Sequence, residues 1–370
     1  MRRARSRRLI AGIAALTAAG LALTACGSGN SNAPSAASTS TATSSGSADG
    51  STPATAGALQ VGLAYDTGGR GDGTFNDSAA VGATKAKTDF GVTLNELVPS
   101  TADDRATNVS LLSKNGNTPI ICVGFNFFSL LPEVADANPK LTYAIVDAVV
   151  DKPNVKSLVF AAEQGAFMVG AAAALKTKTG KIGFIGGQDG PIIQSFEAGF
   201  VAGVKAAKPD ATIDIKYLGP DGDDTVWNAP DRAKEIAASW YAGGTDIIFS
   251  AAGGSGQGTI DAAVDATAAG TQNWAIGVDS DQWALASTDA QKKVILTSEL
   301  KRVDTAVYDV IKAVHDGDTK GGIQTFDLKN EGVGYSTSGG YVDDIKSQLD
   351  SYKQKVIDGS IKVPTAPTRS

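Results

Sequence analysis

Three aspartates stand at the ends of predicted β-strands. Asp66 closes VGLAYD, Asp147 closes LTYAIVD and Asp279 closes NWAIGVD. An aspartate at such a position often caps the next element, so each of the three could be purely structural. Three acids at equivalent strand ends favour a shared site. In a cleft that excludes water, carboxylates accept strong hydrogen bonds from sugar hydroxyls or from the ring N–H groups of a base.

Aromatic side chains occur close to the same strand ends, where they could stack against a flat ligand. Phe75 lies in GDGTFNDSA (71–79), Trp227 lies in GDDTVWN, and Phe125, Phe127 and Phe128 lie in GFNFF. Glycine and polar neighbours favour a ligand-facing position for Phe75 and Trp227. Phe127 and Phe128, in contrast, are expected to plug the base of their loop against the core.

Two more segments could contact a ligand. Lys301 follows the predicted strand VILTSEL, where its ammonium could donate to a hydroxyl and offset the acids, or could be a solvated lysine at a helix start. The glycines of GGSGQG, beginning at Gly253, bring backbone N–H groups to a helix N-terminus, where an anion or hydroxyl could bind. Tight packing between strand and helix explains these glycines almost as well.

Little in the sequence favours catalysis. The single histidine, His315, is predicted at a helix C-terminus, where a cation is favourable without any function. No serine lies in a G-x-S-x-G motif, and the acidic run DGDD (221–224) lacks the spacing of a calcium loop, so we expect a turn there. Cys122, in PIICVGF, is predicted to be a buried, inert thiol. We therefore expect that the protein is not an enzyme and that it binds no cofactor and no metal.

Short apolar runs alternate with segments of helical spacing from residue 58 onward. The first predicted series has strands at 61–66, 93–98, 119–125 and 141–147, with helices near 76–90, 103–115 and 128–138. The second has strands at 181–187, 212–219, 246–254 and 273–279, with helices near 192–207, 229–242 and 257–269. Asn76 or Asp77 is expected to cap the first helix.

This alternation predicts an α/β protein with two lobes, each built on a doubly wound, mainly parallel sheet. The last third of the chain is too short for another domain and is expected to cross back and complete both lobes. We place lobe 1 at 58–162 with 298–322, and lobe 2 at 163–297 with 323–365. Ligands of such proteins bind at the carboxyl ends of the strands, in the cleft between the lobes.

The N-terminal segment indicates export. Five arginines precede the apolar run LIAGIAALTAAGLALTA, and Leu23-Thr24-Ala25-Cys26 has the form of a bacterial lipobox. A chance cysteine after an ordinary signal is the alternative. We expect residues 1–25 to be a signal peptide, Cys26 to carry lipid, and 26–57, rich in Ser, Thr, Ala and Gly, to be a disordered tether. The mature protein would then be anchored to the extracytoplasmic face of the bacterial cell membrane.

The net charge argues against a nucleic-acid partner. Removal of the five signal-peptide arginines takes the formal charge from −6 to −11, which leaves no basic excess to neutralise phosphates.

The segment from about Leu59 to Ile361 resembles the basic membrane protein (BMP) family of bacterial substrate-binding lipoproteins. The matching stretches are GDGTFNDSA, EQGAFMVGAAAA (163–174), GVDSDQ (277–282) and ILTSELKRVDTAVYDVIK (295–312). Characterised members are nucleoside receptors for ABC transporters, so the resemblance implies a type I periplasmic-binding-protein fold, a nucleoside ligand and a membrane permease as partner.

The resemblance also implies roles for individual residues. Phe75 and Trp227 would stack on the two faces of a purine, Asp147 would bond the base edge, and Asp279 with Lys301 would hold the ribose hydroxyls. Asp66 and Asn76 would line the ligand-binding site, and Gly253 or Gly254 would make a backbone contact to the sugar. The loop DTGGRGDGTFND is longer than is usual in the family and Trp227 is larger than phenylalanine, so base preference stays open.

The sequence therefore predicts a monomeric, tethered receptor that captures nucleosides, mainly purine nucleosides, and delivers them to a permease. A receptor for a free sugar such as ribose would use the same acids and rings. A nucleoside-sensing ectodomain would share the site but hand the ligand to a sensor. A nucleoside hydrolase would need a metal-holding acid cluster and a cleft histidine, and neither is found at a suitable spacing.

Overall fold

A computed structural model describes residues 58–368, all within one compact unit. The expected signal peptide, the lipidated Cys26 and the tether at 26–57 lie outside the described residues. No helix in the described part is both long and apolar enough to cross a membrane.

The first sheet has six parallel strands in the order β11-β5-β4-β3-β1-β2. Its strands are β1 (Gln60–Tyr65), β2 (Thr93–Leu97), β3 (Ile120–Val123), β4 (Tyr143–Val146), β5 (Val155–Phe160) and β11 (Gly322–Phe326). The central strands are buried along almost their whole length, as expected when helices cover both faces. Its helices are α1 (Phe75–Phe90), α2 (Asp104–Lys114), α3 (Leu131–Ala137) and α10 (Val303–His315).

The second sheet has the order β12-β10-β9-β8-β6-β7, and only the pairing of β10 with β12 is antiparallel. Its strands are β6 (Lys181–Asp189), β7 (Thr212–Pro220), β8 (Ile247–Ala251), β9 (Trp274–Gly277), β10 (Ile295–Lys301) and β12 (Val333–Tyr335). Its helices are α4 (Ala162–Lys176), α5 (Pro191–Ala207), α6 (Pro230–Ala242), α7 (Gly256–Ala268), α8 (Gln282–Leu285), α9 (Asp289–Lys292) and α11 (Lys346–Ile357). The predicted two-lobed α/β architecture is confirmed.

Helix α4 belongs with the second sheet because it packs closely on α5. A Cβ at Gly199 in α5 would lie 2.1 Å from the carbonyl oxygen of Glu163 in α4, so only glycine allows this approach. The alanine-rich composition of α4 serves the same purpose, and most of its side chains are buried.

The chain crosses between the sheets three times, from β5 to α4, from β10 to α10 and from β11 to β12. Two details differ from the expected lobe boundaries. Residues 298–301, expected in lobe 1, lie in β10 and pair with the second sheet; residues 323–326, expected in lobe 2, lie in β11 and pair with β5. Strand partners decide this membership, and a local apolar pattern does not specify partners.

Candidate ligand-binding site

A cleft lies between the carboxyl ends of the two sheets. Its lining includes all eight candidate residues from the sequence: Asp66, Phe75, Asn76, Asp147, Trp227, Gly253, Asp279 and Lys301. They meet because parallel strands end at one edge of each sheet and the two edges face each other. Asp66 and Asp147 follow β1 and β4 of the first sheet, while Asp279 follows β9 of the second.

Two of the strand-end acids have unusual backbone conformations. Asp147 has φ of 66° and Asp279 has φ of 63°, in the left-handed region that non-glycine residues seldom adopt. Aspartate tolerates this region better than most residues because its short side chain can bond locally. Such conformations cost about 1–3 kcal/mol and cluster at binding sites, so their presence at two matching strand ends supports a functional role.

Lys301, at the end of β10, links the two lobes inside the cleft. Its Nζ donates a hydrogen bond to Oδ2 of Asp147 at 2.5 Å, and both side chains are less than one-tenth exposed. The same Nζ lies 4.9 Å from the ring centroid of Phe75 and 5.2 Å from that of Phe160. The ammonium is therefore held by one carboxylate and by aromatic faces that attract a cation.

Asp279 and Glu299 add two more acids beside the same lysine. Burial raises the pKa of Asp279 to about 7, although Lys301 opposes this shift. Its carboxylate has no hydrogen-bond donor among the described residues. Glu299 is fully buried, its pKa is also raised by burial, and its Oε1 has no partner in the described chain. With one cation near three acids, Asp279 can be protonated near neutral pH and can either accept or donate a hydrogen bond.

Asp66 is used differently from the other two strand-end acids. Its Oδ1 accepts hydrogen bonds from Nε of Arg105 at 2.6 Å and from the backbone N–H of Thr67 at 2.7 Å. Its Oδ2 accepts one from Asn126 at 2.9 Å. Both oxygens are thus occupied within the protein, so Asp66 shapes the cleft wall more than it offers acceptors to a ligand.

The loop before α1 is organised by two other acids. Asp72 accepts from the backbone N–H groups of Thr74, Asn76 and Asp77 at 2.9 to 3.1 Å, so it caps α1, and the prediction that Asn76 or Asp77 would do so was wrong. Asp77 instead accepts from the N–H groups of Gly71 and Gly73. The amide of Asn76 donates to Asp72 at 3.0 Å. These bonds fix the glycine-rich loop and place Phe75 at the first position of α1.

Trp227 forms a wall of the cleft from the second lobe. A Cβ at Gly187 in β6 would lie 2.5 Å from Cζ3 of the indole, so a glycine there is what lets the ring pack against the sheet. Gly253 has φ of 54° and also lies against the indole, with its would-be Cβ 3.6 Å from Cε3. A Cβ at that distance would make only an ordinary contact, so the left-handed backbone, and not packing against Trp227, is what favours glycine there.

The other aromatic predictions had mixed outcomes. Phe125 lines the cleft, and Phe127 is fully buried, as was expected for that residue. Phe128 is 53% exposed, so its predicted packing against the core was wrong; the chain turns outward after the short 3-10 turn at Phe125–Phe127. An apolar wall from the start of α5, made of Ile192, Ile193 and Phe196, was missed. The signal was present, because PIIQSF follows the first strand of the second lobe just as Phe75 follows that of the first.

Residues set aside as structural are mostly where the sequence placed them. Cys122 is fully buried, which raises the pKa of its thiol. His315 ends α10 and stacks on Phe90 with ring centroids 4.9 Å apart. The run DGDD does form a turn, but its last residue, Asp224, bonds Arg105 of the other lobe. Neither residue was predicted from the sequence to make a contact between the lobes.

Within 58–368, no group of three or more His, Cys, Asp or Glu side chains is placed to hold a metal ion.

Comparisons with known proteins identify the family of this chain. Residues 59–366 match the family model of PnrA-like ABC transporter substrate-binding proteins. A CD4+ T-cell-stimulating antigen of Listeria monocytogenes is 37% identical over 325 residues, which cover 83% of this chain and 88% of the relative. The ABC transporter nucleoside-binding protein BmpA of Lactococcus lactis is 34% identical over 333 residues, covering 86% and 92%.

A solved structure shows the same fold. The ABC transporter solute-binding protein of Aeropyrum pernix superposes with a TM-score of 0.72 at 29% identity, over 84% of this chain and 94% of that one. The resemblance to basic membrane proteins is confirmed by relatives of that name, such as basic membrane protein D of Borreliella burgdorferi at 32% identity. The chain therefore belongs to the PnrA-like family of ABC transporter substrate-binding proteins.

Proposed function

We propose that this protein, as a monomer, captures nucleosides outside the cell membrane and delivers them to an ABC permease. Its main ligands are purine nucleosides. The observation that carries the proposal is the composition of the cleft. One aromatic ring from each lobe, Phe75 and Trp227, lines the same space as the polar groups Asp147, Asp279 and Lys301. Flat apolar faces combined with a few buried acceptors and one cation suit a base joined to a sugar.

In this proposal the base stacks between Phe75 and Trp227, and Asp147 accepts a hydrogen bond from the base edge. Lys301 already bonds one oxygen of Asp147, so the other oxygen is the one offered to the ligand. Asp279 and Lys301 hold the ribose hydroxyls, with a backbone contact from Gly253 or Gly254. The absence of a donor against the Asp279 carboxylate among the described residues supports its role as an acceptor.

The binding geometry gives a reason for lobe closure. Phe75 and Asp147 belong to one lobe, while Trp227, Asp279 and Lys301 belong to the other. A ligand contacts both sets only when the lobes are together, so its binding free energy favours the closed form. The relative from Lactococcus lactis is named a nucleoside-binding protein, which supports nucleoside as the ligand class here.

Calorimetry of the mature protein with adenosine, guanosine, inosine, uridine and ribose tests the proposal. We expect at least one nucleoside to bind far more tightly than ribose. Phe75→Leu should weaken that binding by about 1–3 kcal/mol through lost stacking, whereas Phe128→Leu, on an exposed ring outside the cleft, should not. Failure of every nucleoside to bind more tightly than about millimolar, about 4 kcal/mol of affinity, would exclude the proposal.

A receptor for a free sugar is the second candidate, because acids and aromatic rings also bind sugars. Ribose binding tighter than inosine in the same titration would select it. Mass spectrometry of the protein as purified from its native host should show a retained nucleoside under the main proposal and a retained sugar under the alternative.

We further propose that Cys26 carries the lipid that anchors the protein, as the lipobox indicates. Growth with an alkyne-tagged fatty acid should label the wild-type protein and leave Cys26→Ala unlabelled. A Cys26→Ala protein that still takes up label and stays with the membrane would rule out this anchor.

A further inference from the structure

Five polar side chains form a cluster that joins the two lobes beside the ligand cleft, and one of them, Asp66, also lines the cleft. Asp66, Arg105 and Asn126 come from the first lobe, and Gln188 and Asp224 come from the second. Nη2 of Arg105 lies 2.5 Å from Oδ1 of Asp66 and 2.7 Å from Oδ2 of Asp224. Oδ1 of Asp224 accepts from the amides of Gln188 at 3.0 Å and Asn126 at 3.2 Å.

The strand order places this cluster far from the points where the chain crosses between lobes. The crossings leave β5, β10 and β11, which lie toward one edge of each sheet. Arg105 lies in α2, directly after edge strand β2, and Asp224 follows edge strand β7 at the opposite edges. In a hinge motion about the crossings, the groups farthest from the hinge separate most. The contact of Arg105 with Asp224 is therefore lost early when the lobes open.

Opening leaves the two charges in different situations. Arg105 keeps Asp66 within its own lobe, but Asp224 keeps only Gln188 and loses both Arg105 and Asn126. In the closed form the side chains of Arg105 and Asp224 are only 11% and 19% exposed, so the pair is weakly screened by solvent. Closure thus gains a charge-assisted hydrogen bond that exists in no other arrangement of the lobes.

The geometry points to a closure latch: we propose that the pair Arg105–Asp224 stabilises the closed form and raises ligand affinity without touching the ligand. Neither residue lines the cleft. They are positioning residues, since they act through the lobe equilibrium on which ligand contacts depend. Asp66 connects the latch to the cleft wall because it both lines the cleft and accepts a hydrogen bond from Arg105.

The neighbouring acid Asp223 provides a matched control. It pairs with Arg232 at 3.7 Å and accepts from Thr225, all within the second lobe. Asp223→Asn and Asp224→Asn therefore remove the same charge from the same loop, but only the second removes a contact between lobes. Asparagine at 224 can still accept the amide hydrogen bonds from Gln188 and Asn126, so the fold of the loop should be kept.

Two measurements on the full mature protein test the latch: calorimetric affinity for the nucleoside that binds wild type most tightly, and the radius of gyration without ligand from small-angle X-ray scattering. Asp224→Asn should weaken affinity about tenfold or more, because the closed population falls, and should increase the ligand-free radius of gyration. Asp223→Asn should match wild type in both. Equal affinity and equal radius for the two variants would overturn the latch.

The affinity measurement rests on the proposed function, and the scattering measurement does not. If no nucleoside binds to wild type, the proposed function fails, and the ligand-free radius alone decides the latch. A larger radius for Asp224→Asn than for Asp223→Asn then supports it, and equal radii reject it.

Discussion

Replacement of Lys301 by methionine should destabilise the protein in a pH-dependent way. Methionine keeps most of the aliphatic volume and removes the cation that bonds Asp147. Removal of one partner from a buried ion pair leaves an uncompensated charge and costs about 3–5 kcal/mol. We expect a loss of this size in the free energy of unfolding at pH 8.5, which lies above the pKa of Asp279 in the wild type.

The pH dependence follows from the acids around the lysine. The pKa of Asp279 is about 7 in the folded protein against 3.8 in its reference state, because burial disfavours the charged form. The folded state therefore holds this proton more strongly than the unfolded state, and its contribution to stability falls as pH rises from about 4 to 7. Without Lys301, which lowers the pKa of Asp279 and Glu299, the fall extends above pH 7.

The loss caused by Lys301→Met should therefore be smaller at pH 5.5, where Asp279 is already protonated. One pKa unit corresponds to about 1.4 kcal/mol, so a difference of roughly 1–2 kcal/mol between the two pH values is expected. Urea unfolding followed by circular dichroism measures both. Lys176→Met, which breaks the surface pair with Asp344, should cost no more than about 1 kcal/mol. A loss below about 1 kcal/mol for Lys301→Met at pH 8.5, or one that does not change with pH, would refute this reasoning.

Three other predictions probe the site. Asp279→Asn should reduce the decline in unfolding free energy between pH 4 and 7 by at most about 1.4 kcal/mol per pH unit, while the buried Glu299, whose pKa is also raised, keeps part of it; an unchanged slope in urea titrations would contradict the raised pKa of Asp279. Asp147→Ala should be about 1 kcal/mol less stable than Asp147→Asn, because asparagine tolerates the left-handed backbone; equal stabilities would argue against strain there. Gly187→Ala should displace the Trp227 indole and weaken nucleoside binding as Trp227→Ala does, with no further loss in the double variant; additive losses measured by calorimetry would show that the two positions act separately.

The resemblance and the strand-end pattern together predicted which residues gather at the cleft, because the ends of parallel strands are set by the alternation of apolar and polar segments. They did not predict what each residue would bond. Asp66, Asp147 and Asp279 look alike in sequence, yet one has both oxygens occupied, one shares an oxygen with Lys301 and one has no donor among the described residues. Those differences depend on neighbours from other elements.

The sequence by itself determined the local features of this protein. Strand and helix alternation, the glycine loop before α1 and the acids at the strand ends follow from hydrophobic periodicity and turn chemistry, which act over a few residues. Only the tertiary structure decided which edges face each other. Arg105 and Asp224 are 119 residues apart in the chain, and each one alone is typical of a solvated helix or a turn. They bond because two sheets with matching strand orders bring their far edges together, a relation that short-range sequence patterns do not contain.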